Sequence, residues 1–123
     1  MSYLSDYILD AALSVMDTDS NRVDICSAEP ATFTAATATY TLGNKTSISV
    51  GAPADRSPNG RKVTVAAITG GSVTGTGTAS HWALTDTVNS RLHAANSLSA
   101  SQAVTSGNTF TLTSIDIGIP DAA

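Results

Sequence analysis

One tryptophan in a chain of small residues constrains this fold more than any other feature. Trp82 sits in Ala79-Ser80-His81-Trp82-Ala83-Leu84-Thr85-Asp86, between two long runs of strand-like residues, and its surroundings are alanine, serine, threonine and glycine. An aromatic side chain buries more apolar area than any small neighbour can, so Trp82 is expected at the centre of the core. The two-residue period of a strand then turns Trp82 and Leu84 inward, and His81, Ala83 and Thr85 outward.

A length of 123 residues suits one domain. The expectation is a single domain over residues 1–123, with a helix at 2–16 and an antiparallel β-sandwich or jelly-roll-like region at 22–119. Hydrophobic residues make up 41% of the chain but aromatic ones only 5%, so the core should be thin and built from Val, Ile and Leu on sheet faces. A thin core makes support from neighbouring subunits a natural expectation.

Charged residues are 13%, against roughly 25% in an ordinary soluble domain. Six basic and ten acidic residues leave a net charge of −4, which gives nucleic acid phosphates nothing to bind. A low-charge surface rich in Thr and Ser suits packing against copies of the chain or a larger assembly, and equally suits a soluble β domain with hydroxyl-rich faces. The single Cys26 excludes an internal disulfide framework and a cysteine zinc cluster; it is expected as a small buried residue. No basic segment followed by an apolar run opens the chain, and nowhere do about 18 apolar residues run together. Neither a secretory signal nor a membrane span is expected.

Residues 2–16 carry the helical pattern, with Ser2 as N-cap and Tyr3, Leu4, Tyr7, Ile8, Ala11, Ala12 and Met16 at three- and four-residue spacing. That stripe is expected to cover a sheet, or to dock on a partner subunit through its tyrosines. Asp17 to Asn21 ends the helix and resembles the start of a calcium loop, but Arg22 holds the glycine position and Ala28 the bidentate glutamate position, so a plain polar loop is expected.

Strands follow. Val23 and Ile25 alternate against Arg22, Asp24 and Cys26, and Pro30 closes that run. Residues 31–42 are ambiguous between a helical turn and an extended segment, anchored by Phe33 and Tyr40. Gly43-Asn44 reads as a turn, residues 46–50 as a strand with Ile48 and Val50 inward, and residues 61–68 as another. Gly70-Gly71 reads as a hairpin turn into residues 72–78, where Val73, Gly75 and Gly77 share a face onto which something bulky should pack, Trp82 or another aromatic. A turn near Thr87 brings residues 91–95 back, with Leu92 in the same core as Trp82 and His81 roughly opposite His93. In residues 109–119 the apolar phase shifts, Phe110 and Leu112 on one parity and Ile115, Ile117 and Ile119 on the other, which predicts a bulge or bend at Thr113-Ser114.

Catalytic signatures are missing. There is no Gly-x-Ser-x-Gly elbow and no phosphate loop, and with one glutamate, two histidines and one cysteine few acids or bases exist to converge. His81 or His93 with Asp86 and a serine imitates a triad on paper, but serine is too abundant for the coincidence to carry weight. Two histidines across a hairpin lack a carboxylate or cysteine to complete a metal set. No catalytic, cofactor-binding or metal-binding residue is expected, and the chain reads as a non-enzyme.

From the Tyr3-Leu4 helix through Gly60-Arg61-Lys62-Val63, Ala79 to Asp86 and Ser106-Gly107-Asn108-Thr109-Phe110 to Ile115-Asp116-Ile117, the order of features resembles small tailed-bacteriophage virion proteins, the capsid decoration, head-fibre and tail-fibre-like group. The resemblance covers nearly the whole chain through structural motifs. It implies a β-sandwich-like domain made in the host cytoplasm and carried on the capsid exterior. Its implied role is a decoration or cement protein whose partners are copies of itself, as a homo-oligomer such as a trimer, and the major capsid protein, with no cofactor, nucleic acid or membrane. The alternative it implies is a receptor- or glycan-binding module of a fibre, using Tyr40 or His81. Tyr3, Leu4, Tyr7, His81 and His93 are the candidate contact residues.

Overall fold

The structure is a computed structural model and describes residues 5–120. Trp82 lies in β6 (Gly77–Asp86), flanked by β1 (Arg22–Cys26) on one side and β7 (Arg91–Val104) on the other. Beyond β1 come β2 (Thr41–Thr46), β5 (Ile68–Val73) and β8 (Thr109–Leu112), giving an antiparallel six-stranded sheet in the order β7-β6-β1-β2-β5-β8. A second, three-stranded sheet has the order β3-β4-β9, from β3 (Ala54–Asp55), β4 (Arg61–Val65) and β9 (Ile115–Ile119). One helix, α1 (Asp6–Asp19), precedes them. The chain is therefore mainly β and antiparallel with one N-terminal helix, the class its alternating pattern predicts. Within the described chain two compact units are distinguished: residues 20–48 and 68–112 hold the six-stranded sheet, and the remaining described residues hold α1 and the three-stranded sheet.

In the six-stranded unit, the centre of β6 is buried on both faces. Trp82 and Leu84 are enclosed as expected, but Ala83 and Thr85, expected in solvent, are also fully buried. The cause is the segment read as ambiguous. Ala35–Thr39 forms a π-helical turn that sets Ala36 against Cys26 and Ala83, with Tyr40, Leu92 and Ala95 packed around them. Leu92 thus belongs to this second cluster and not to the Trp82 face. The β6–β7 register slips between Leu84 and Thr85 so that Thr85 pairs with Leu92, and a one-residue slip moves a side chain to the other face.

The bulky residues on the glycines are also different from those expected. Leu42 packs over Gly75 and Gly77, and the Phe110 ring lies against Gly71, its cross-strand partner. Gly70-Gly71 makes no hairpin; both lie inside β5, where Gly70 takes φ 72° at an irregularity in the β5–β8 register. Gly43-Asn44 is likewise strand and not turn. A Cβ at Gly43 would come 2.5 Å from the Ser72 carbonyl oxygen and 3.0 Å from Val73 Cα, so the glycine serves close strand approach and not reversal.

Strands read as continuous are cut where the chain passes from one compact unit to the other. The expected 46–50 strand ends at Thr46, because Ser47 adopts φ 57°, a region few non-glycine residues occupy; Val50 keeps only an isolated bridge to Val65. The expected 61–68 strand divides into β4 and the start of β5 at Ala66-Ala67. The predicted bend at Thr113-Ser114 is present and separates β8 from β9, which belong to different sheets.

Candidate functional site

In the unit built on the three-stranded sheet, α1 packs against β4, and the buried apolar residues are Leu9 and Leu13 on the helix and Val63 and Val65 on the strand. Leu9 and Leu13 are four residues apart and so stack on one helix face. At about 1.5–3 kcal/mol for each such side chain, this is a small core. Arg61 supplements it: its Nε donates to Asp10 Oδ1 at 2.7 Å, Nη2 to Asp10 Oδ2 at 3.2 Å, and Nη1 to Asp55 Oδ1 at 2.6 Å. These carboxylates raise the Arg61 pKa above its ordinary value, the Asp10 hydrogen bond contributing most. The bidentate grip fixes the roll of α1, because Asp10 lies beside Leu9 and Leu13 on the face turned to β4.

That roll reverses the expected helix. Tyr7, Ala11 and Val15 sit two positions from Leu9 and Leu13, about 200° around the axis, with Ile8 and Ala12 beside them. Tyr7 is 79% exposed, Ile8 52% and Val15 45%, and Ala11 and Ala12 are exposed too. The stripe expected to cover a sheet is therefore bare, and a contiguous apolar helix face in water marks a contact surface more often than an isolated apolar residue does. Tyr3 and Leu4, along with the proposed Ser2 cap, lie outside the described residues. Ser5 caps the described helix, its Oγ accepting from Tyr7 N at 3.2 Å and its carbonyl from Leu9 N at 3.1 Å. Asp17 to Asp19, expected in a polar loop, form the last helical turn. Among the described residues no group of three or more His, Cys, Asp or Glu could hold a metal ion, and no helix is long and apolar enough to cross a membrane.

The two histidines do not face each other as expected. His81 pairs with Ser97, four residues from His93 along β7 and so roughly 13 Å away at strand spacing, too far to share an ion. His81 is partly buried, its Nδ1 2.8 Å from Ser80 Oγ. His93 shares a hydrogen bond with Ser20, Nδ1 to Oγ at 2.7 Å, a partner the sequence reading missed because Ser20 precedes β1 and sits 73 positions away. The hydroxyl takes Nδ1, the atom an orienting carboxylate holds in a triad. Asp86 is already occupied: it is 1% exposed, and its carboxylate accepts from Val88 N at 3.0 Å, Asn89 N at 3.3 Å and Asn89 Nδ2 at 2.7 Å. These bonds, the Asn89 side chain's first, hold its pKa below the usual carboxylate value. Asp86 thus closes the Thr87–Ser90 turn between β6 and β7, while the Ser20–His93 hydrogen bond ties the residue ahead of β1 to β7.

Asp24 is fully buried but answered by Arg22 Nε and Nη2, at 2.7 and 2.8 Å, and by Thr41 Oγ1 at 2.7 Å. Burial, then the neighbouring Asp24 charge, push the Cys26 thiol up to about 12, so it stays protonated at neutral pH and behaves as a small core residue. Tyr40, named for the alternative glycan-binding role, is packed against the Cys26–Ala36–Ala83 cluster.

In comparisons with known proteins, no family model, curated protein or solved structure matches the chain.

Proposed function

We propose that this chain is a virion structural protein without an enzymatic role, acting as a capsid decoration protein that assembles as a homo-oligomer on the outside of the major capsid shell. The observation that carries the assembly part is the bare apolar stripe Tyr7-Ile8-Ala11-Ala12-Val15 on a helix whose roll is pinned by Arg61. A pinned helix cannot turn this stripe inward, so a neighbouring subunit is the surface that covers it. The low charge content and hydroxyl-rich strands support the same reading, and the resemblance to small phage virion proteins supplies the particle. Electron cryomicroscopy of whole particles carrying the chain tests it: the expected result is density over the capsid shell with α1 at a subunit contact. Density confined to the tail would replace decoration with the fibre role, and α1 facing solvent in the assembly would remove the contact.

A further inference from the structure

We infer that the six-stranded unit carries a binding site for a single neutral, hydroxyl-bearing ring, of the size and chemistry of a monosaccharide, between the two ends of its sheet. β7 and β8 are the first and last strands of the sheet, yet both line one half-enclosed cavity of about 220 Å³ together with β1, β5 and β6. The sheet must curl for its ends to meet there, and residues 105–108 join them at one end of the cavity. Ile25, Val73, Ala79 and Phe110 line it and are buried, forming an apolar floor with one aromatic ring. Gln102, Thr105, Asn108 and Thr109 line it and are exposed, and no hydrogen bond within the described chain engages their side chains. Among the described residues, no charged side chain and no histidine lines the cavity.

An apolar floor with a few unengaged amides and hydroxyls at the mouth is the usual composition of a small-molecule pocket. The neutrality of the lining selects the ligand, because a charged molecule would lose its hydration without meeting a counter-charge. The volume selects it further, falling below the roughly 300–1,000 Å³ of pockets for drug-sized ligands. A hexose or N-acetylhexosamine has the matching chemistry: one C–H face for Phe110 and the aliphatic floor, and hydroxyl or amide groups for Gln102, Asn108 and the threonines. A free sugar and the terminal residue of a glycan share that chemistry. An added peptide strand between β7 and β8 is the competing occupant; Thr105 and Asn108 close the seam at one end against it. The site shares no residue with α1, so it stands or falls apart from the assembly reading.

The test is titration of the isotope-labelled full chain, followed by NMR, with neutral hexoses and N-acetylhexosamines, their methyl glycosides, a uronic acid and a hexose phosphate, and a peptide of the β8 sequence. Neutral sugars should shift the Gln102, Asn108 and Thr109 resonances with a dissociation constant of about 1 mM, a scale suited to so few ligand atoms, and charged counterparts should bind at least about tenfold more weakly. Gln102→Ala and Asn108→Ala, both at exposed positions, should each weaken binding about tenfold; Ala103→Trp, at the exposed lining, should abolish it while leaving distant resonances in place. Equal or stronger binding of methyl glycosides assigns the site to glycan termini, and binding of reducing sugars alone assigns it to free monosaccharides. The inference is overturned by silence toward every neutral sugar, by equal binding of the charged ones, by variants that bind as the parent does, or by a response to the peptide alone.

Discussion

Around Trp82, β6 is covered on both sides: Trp82 and Leu84 fill one face, and Ala83 lies under the π-helical turn on the other. On α1 only the Leu9–Leu13 line is buried, and Tyr7, Ile8 and Val15 stand in water although Ile8 and Val15 are as apolar as the residues that are buried. The difference lies in what happens to pack nearby. Periodicity establishes which side chains share a face, but coverage is decided by a distant segment: residues 35–39 for β6, and the Arg61–Asp10 pair for α1. Among the described residues, none covers the Tyr7–Ile8–Val15 face, and that is the face the proposed assembly uses.

Substitutions can break or sharpen this contrast. The largest effect is expected at Trp82: Trp82→Ala should cost about 3–5 kcal/mol in denaturant unfolding, the usual cost of removing a large buried aromatic, and an unchanged midpoint would mean that the indole is not in the core. Next comes the second face. Ala83→Leu adds volume beneath Ala36 and should cost about 1–3 kcal/mol, whereas a solvent-facing Ala83 would tolerate it within about 0.5 kcal/mol. Gly71→Ala should fall in the same overpacking range, because its new methyl meets the Phe110 ring.

The hairpin between β6 and β7 supplies a pH test. Asp86 has a folded pKa below its unfolded value, so the unfolded chain takes up its proton first as pH falls. The stability Asp86 contributes is present above the ordinary carboxylate pKa and is lost as pH drops through the depressed folded value. Asp86→Asn should therefore be less stable than the parent at neutral pH, and the gap should narrow in acid; a gap independent of pH would mean that the carboxylate charge plays no part in the turn. The smallest stability effect belongs to the bare face, where Tyr7→Ser should shift unfolding by no more than about 0.5 kcal/mol.

What could be read from the sequence follows the same division. β1, β6 and the return at Thr87–Ser90 were legible because alternation and turn residues are local signals, and the phase shift in residues 109–119 marked the break at Thr113-Ser114 before any partner strand was known. The Gly70-Gly71 hairpin and the Gly43-Asn44 turn were not, because glycine serves both reversal and close approach, and only the Phe110 ring or the Ser72 carbonyl distinguishes them. Which side of the helix covers the sheet was not legible because two apolar lines run along it. Leu9 and Leu13 are fewer than Tyr7, Ile8, Ala11 and Ala12, and the deciding residue, Arg61, lies 51 positions beyond Asp10. Of the candidate contacts, Tyr7 is presented to solvent, while His81 and His93 are drawn into hydrogen bonds with Ser80 and Ser20; periodicity carries no information on such pairings.

Sedimentation velocity of the parent chain beside a Tyr7→Ser, Ile8→Ser, Val15→Ser variant tests the central claim most directly. The bare face of α1, if it is a subunit contact, predicts an oligomer for the parent and, for the variant, a folded monomer with the parent's circular dichroism and a melting temperature lowered only by the loss of subunit association. A parent and variant that sediment as the same species would contradict it.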